Sequence, residues 1–144
     1  MLKGIDPLLH SDLLHALASM GHGDEIVIAD ANFPAAAMAR RLVRLDGVDA
    51  PAALRAVLTV LPLDDFVESP AAVMAVVGDP QRVPEAVRAF QPLLDSAMGR
   101  PVAIARLDRF AFYERARPAF AVLATGDTRK YANIILAKGV IARD

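Results

Sequence analysis

The chain has 144 residues, 55% of them hydrophobic, a mean hydropathy of +0.36 and no cysteine. Sixteen basic and seventeen acidic side chains leave a net charge of −1, which supplies no electrostatic footprint for nucleic acid. Without cysteine there are no disulfides, thiolate nucleophiles or zinc-ribbon sites, and apolar runs such as AAVMAVV (71–77) are far shorter than the roughly 20 residues that cross a bilayer. Apolar surface in this excess has to be hidden in a core or in subunit contacts, so a homo-oligomer is expected. The opening MLKGIDPLLHSDLL has neither the unbroken apolar core nor the small-residue cleavage site of a signal peptide, which makes the cytoplasm the expected address. The length suits one domain, 1–144.

Taken in order, Ser11 is placed to cap a first helix running to about Met20, with Leu13, Leu14, Leu17 and Met20 at helical spacing and Gly21 as the stop. EIVIAD (25–30) is a continuous apolar run between polar ends and predicts a strand covered on both faces. After Pro34, AAAMARRL predicts a short helix and LVRLDG a short strand into a turn; Asp49 and Pro51 open a second clear helix. AAVMAVV is the next buried strand. Pro84 then starts VPEAVRAFQPLLDSAMG, a helix that the internal Pro92 is expected to kink or break. VAIARL (102–107), FAVLATG (120–126) and NIILAKG (133–139) predict three more strands, with one or two helical turns in RFAFYERA (109–116) between the first two. Alternating strands and helices define an α/β fold with helices on both faces of the sheet. The short links between the last strands imply that part of the sheet is antiparallel.

Several positions could carry chemistry. His22 stands between two glycines, with little local cover and wide backbone freedom. A histidine can take and give protons near neutrality, yet the same placement also fits a helix C-cap turn with the ring facing water. Asp30 and Asn32 fall at the carboxyl end of the first strand, where open α/β sheets commonly bind ligands; a strand-ending turn hydrogen bond would use the same residues. RLDRFAFYERAR (106–117) sets four arginines among aromatics, suited to carboxylates, phosphates or sugar hydroxyls, or to ion pairs on an amphipathic surface helix. Tyr131 and Asn133 sit at a strand entry and alone would be read as turn caps. His22, Asp24 and Asp30 lack metal-ligand spacing, and His10 and His15 do not share a helix face, so no metal site is expected. No phosphate-binding glycine loop is present either.

Three separated blocks, GHGDEIVIADANFP, RFAFYERA and KYANIILAKG, together resemble the RbsD/FucU sugar mutarotases, the group of D-ribose pyranases and L-fucose mutarotases. The likeness runs along nearly the whole chain. RFAFYERA, with Arg109 where the ribose branch has a histidine, and GHGDE followed by DANFP make it most like the L-fucose mutarotases. Ala132 departs from that branch, where KYGN is usual, and matches ribose members instead. The resemblance implies a three-layer α/β/α sandwich around a mixed, mostly parallel sheet. It also implies His22 as the acid–base catalyst and Asp30, Arg109, Tyr131, Ala132 (through its backbone) and Asn133 around a monosaccharide. Ring-shaped decamers with sites shared between subunits, and no cofactor, are implied as well.

Anomer exchange requires a hemiacetal to open and to close on the other carbonyl face. One proton leaves the anomeric hydroxyl and one reaches the ring oxygen, so acid–base help suffices, worth about 10²–10⁴-fold. A pyranase acting on ribose or another monosaccharide would use the same pocket, as would a non-catalytic sugar-binding subunit linked to uptake. The latter has no need of a titratable group at position 22.

Overall fold

A computed structural model describes residues 1–143. Six strands form one sheet in the order β2-β5-β1-β6-β3-β4: β1 Glu25–Ala29, β2 Leu42–Leu45, β3 Ala71–Met74, β4 Ile104–Leu107, β5 Ala121–Thr125 and β6 Ile134–Ala137. β2, β5 and β1 pair in parallel, as do β3 and β4, whereas β6 is antiparallel to both of its neighbours, β1 and β3. The antiparallel element expected near the C-terminus is therefore present, but it pairs with strands distant in sequence. β5 and β6 are separated by β1, and the helix of RFAFYERA stands between β4 and β5.

Strand alternation sorts the side chains into two layers. On one face Ile26, Ile28, Val73, Leu123, Ile134 and Leu136 pack with the buried sides of α1 (Ser11–Ser19), α3 (Ala50–Leu58) and α4 (Glu85–Met98). On the other, Val27, Ala72, Val122 and Ile135 pack with Phe33, α2 (Ala35–Met38) and α5 (Arg109–Ala116), whose Phe112 is fully buried. This is the three-layer α/β/α arrangement with a mostly parallel sheet. No helix among the described residues is long and apolar enough to cross a membrane.

Two local expectations are corrected. The cap of α1 is His10 rather than Ser11: its ring accepts the Leu13 N–H at 3.4 Å through Nδ1, while Nε2 donates to the Arg44 carbonyl at 3.0 Å. An imidazole in this position ties the helix start to β2, which a serine could not reach. Pro92 does not break α4, which runs through it. Pro92 and Arg88, whose carbonyl loses its helical partner, both lie on the exposed side, where water can satisfy that carbonyl.

Candidate active site

Asp30 follows β1 directly and is 6% exposed. Asn133, just before β6, is 3% exposed. Because β6 runs against β1, its entry falls beside the exit of β1, and the two side chains meet. The Asp30 N–H donates to Asn133 Oδ1 at 2.7 Å, and Asn133 Nδ2 donates to Asp30 Oδ2 at 3.0 Å. The Asn32 N–H donates to the other carboxylate oxygen at 2.9 Å. Burial pushes the Asp30 carboxyl above the ordinary value, with Asp127 adding to it, and the Asn32 and Asn133 donors pull back only part of the way.

These two residues form the floor of a cleft of about 400 Å³, with Arg109, Tyr131, Tyr113, Lys130, Phe33 and Met74 among its walls. Tyr131 takes a left-handed backbone conformation, φ 63°, uncommon for a tyrosine. Its hydroxyl oxygen accepts the Val77 N–H at 3.1 Å, which leaves the O–H hydrogen free to point into the cleft. Arg109 is the first residue of α5, whose N-terminus is capped by Asp108 through the Ala111 N–H at 2.9 Å. Four residues on, Tyr113 presents its ring 5.7 Å from the Arg109 guanidinium. The loop carrying Lys130 and Tyr131 is anchored behind the cleft by Asp127, which accepts from the Ala50 N–H at 3.0 Å and from the Arg129 side chain. Burial alone would raise the Asp127 carboxyl, but the Arg129 fork and the Ala50 and Arg129 amides together hold it below the ordinary value.

His22 is elsewhere. It precedes β1 while Asp30 follows it, so the two are separated by the strand's five residues, about 17 Å of extended chain. The turn is built by its neighbours: Gly23 has φ 82° and donates its N–H to the Lys138 carbonyl at 2.8 Å, and Asp24 Oδ2 accepts the Gly21 N–H at 2.7 Å. Asp24 thus shapes the turn and does not touch the imidazole. The partner of the ring is Asp64, 3.1 Å from Nε2, whose side chain is 5% exposed against 46% for His22. Asp64 Oδ1 also accepts the Phe66 N–H at 3.0 Å, and the Phe66 ring lies 5.1 Å from the imidazole. The Phe66 amide, and after it the His22 ring, hold the Asp64 carboxyl below the ordinary value against the cost of burial.

The structure therefore brings together Asp30, Arg109, Tyr131 and Asn133 and sets His22 apart from them. The Ala132 side chain is fully buried among core side chains, so only its backbone, between Tyr131 and Asn133, is near the cleft. Arg115, in the same arginine-rich segment, pairs with Glu25 at 2.5 Å, and Arg106 reaches the carbonyls of Pro80 and Gln81, so neither serves the cleft. Sequence reasoning missed Tyr113, Phe33, Lys130 and Asp64. For Tyr113 the signal was there: it follows Arg109 at i+4 and so shares its helix face.

A polar-floored, aromatic-walled cleft at the strand ends of an open α/β sheet marks a small-molecule binding protein. The chain belongs to the RbsD / FucU transport protein family, whose model matches residues 3–141. It is 51% identical to the fucose mutarotase of Homo sapiens, over 98% of this chain and 95% of that protein. To the L-fucose mutarotase of Histophilus somni it is 44% identical, over 97% of each. Among solved structures, the fucose mutarotase of Streptococcus pneumoniae in complex with L-fucose superposes with a TM-score of 0.92 at 43% identity, over 98% of this chain and 100% of that one. RbsD of Bacillus subtilis, complexed with D-ribose, gives 0.75 at 26% identity over 99% and 100%.

Proposed function

We propose that the protein is a mutarotase interconverting the α and β anomers of L-fucose or a closely related pyranose. The observation that carries this reading is the Asp30–Arg109–Tyr131–Asn133 cleft, on a fold that superposes over 98% of its length on a mutarotase solved with L-fucose. A neutral sugar suits the electrostatics. The Asp30 carboxylate is buried and incompletely compensated, so hydroxyl donors from a ligand relieve it. Arg109 offers paired N–H groups, and Asn133 is already committed to Asp30, so its role is to fix that carboxylate. Tyr113, Phe33 and Met74 supply the apolar surface against which a sugar face packs.

The acid–base group is His22, supplied by a second copy of the chain. Its distance from the cleft within one chain and its exposed position support this, as do the exposed apolar side chains flanking both halves, Phe66 beside His22 and Val77 and Phe110 beside the cleft. The imidazole takes the anomeric O–H proton while the bond from C1 to the ring oxygen breaks, its electron pair remaining on that oxygen. The Tyr131 hydroxyl, or a water, protonates the ring oxygen; closure on the opposite carbonyl face returns both protons. The assembly is read as a ring-shaped decamer of single-domain subunits in the cytoplasm, following the resemblance of the sequence.

Magnetisation-transfer NMR of anomer exchange tests the activity. L-Fucose exchange should accelerate with protein concentration, and His22→Ala should remove about 10²–10⁴-fold of that acceleration. Exchange no faster than in buffer would sink the reading, and D-ribose turned over faster than L-fucose would move the substrate to the pyranase side, the side on which Ala132 falls.

A further inference from the structure

The His22 imidazole has two nitrogens, and only one can face a sugar. We infer that Asp64 is the positioning residue that holds the His22 Nε2–H, so that Nδ1 is the nitrogen exchanging protons with the substrate. This rests on the mutarotase reading for its consequence, though not for its geometry.

Asp64 lies in the segment that follows α3 and is fixed by its backbone to the end of β6. The Asp64 N–H donates to the Ala137 carbonyl at 3.0 Å, Leu63 bridges to Lys138, and the Gly139 N–H donates to the Pro62 carbonyl at 2.8 Å. The carboxylate is thus buried on a rigid support, whereas the histidine it faces is half exposed. A carboxylate at 3.1 Å is an acceptor only, so the ring nitrogen opposite it must carry hydrogen. Among the described residues nothing bonds Nδ1, which is left on the open side of the ring. Phe66 restrains the remaining freedom: its ring packs at 5.1 Å, tilted 55°, and limits rotation about the Cβ–Cγ bond.

The same arrangement stabilises the imidazolium formed when Nδ1 takes the anomeric proton. The negative charge sits on the far side of the ring, where it does not compete with the substrate. Oδ1 accepts both the His22 Nε2–H and the Phe66 N–H, so an asparagine at 64 would be oriented with its oxygen toward the ring. Asp64→Asn therefore keeps the tautomer and removes the charge, and Asp64→Ala removes both.

The test is long-range ¹H–¹⁵N correlation on ¹⁵N-histidine protein, with His22 assigned among the three histidines by its loss in His22→Gln. Neutral His22 is expected as the Nε2–H tautomer in the wild type and in Asp64→Asn, and as a mixture in Asp64→Ala. In anomer exchange, Asp64→Asn should lower kcat about tenfold with KM little changed, because the loss falls on the proton-transfer step. An Nδ1–H tautomer in the wild type overturns the inference without any variant, as does Asp64→Ala with wild-type tautomer and rate. A pinned Nε2–H in a wild type that does not accelerate exchange sinks the mutarotase reading and leaves the positioning intact.

Discussion

Asp30 and Asn133 are 103 positions apart in sequence and hold each other by two reciprocal hydrogen bonds, one from the Asp30 backbone and one from the Asn133 amide. Asn133→Ala should leave a buried N–H and a carboxylate oxygen unpaired and cost about 1–3 kcal/mol of stability. Asn133→Asp should cost more, since it sets a second carboxylate against the first. Urea unfolding midpoints check both, and an Asn133→Asp midpoint equal to that of the wild type would contradict the pairing.

If the catalytic unit spans two chains, inactive chains should rescue one another. His22→Ala and Arg109→Ala proteins, each inactive alone, should regain about a quarter of wild-type exchange when co-expressed in equal amounts, as random pairing of half-sites requires. A mixture no more active than its components would place the site within one chain.

Gly126 sits where an added Cβ would collide with the Asp46 carbonyl, at the start of the loop that leads to Tyr131. Gly126→Ala should force the two loops apart, destabilising the fold by about 1–3 kcal/mol and loosening the cleft. Calorimetric sugar titration and thermal unfolding should report both losses together; a variant with wild-type melting would show that the approach is dispensable.

Asp127 gives the fold an acid limit. Its folded carboxyl lies below the ordinary 3.8, so the native state favours the ionised form. That stabilisation is complete above the unfolded value and is lost as pH falls through the lower folded value. Stability measured by denaturant from about pH 7 down to about pH 3 should therefore drop more steeply in the wild type than in Asp127→Asn. Parallel curves would remove Asp127 from the account.

Local signals carried most of the elements. Val27, Ile28 and Ile135 lie in apolar runs too unbroken for anything but covered strands, and Asp49 with Pro51 marks the start of α3 in the sequence itself. Strand order was not legible, because insertion of β6 between β1 and β3 depends on contacts more than a hundred residues apart for Glu25 and Ala137. Within the site, the grouping of Asp30 with Asn133 was visible through the family likeness, not through spacing. Asp64 gave no signal. Nothing in LPLDDF tells its two adjacent aspartates apart until the chain beneath one of them is seen pairing with β6.

β6 joins the cleft and the His22 turn within the chain. Its entry places Asn133 against Asp30, and beyond its four residues Lys138 and Gly139 hold both the His22 turn and the strip bearing Asp64. Inserting or deleting one residue there would turn every later side chain to the opposite face and offset one end from the other. A one-residue change in β6 would therefore disturb both ends together, which one in an outer loop would not. A circular permutant that opened the chain inside that strand would lose the Asp30–Asn133 pairing and the support of the His22 turn in a single cut.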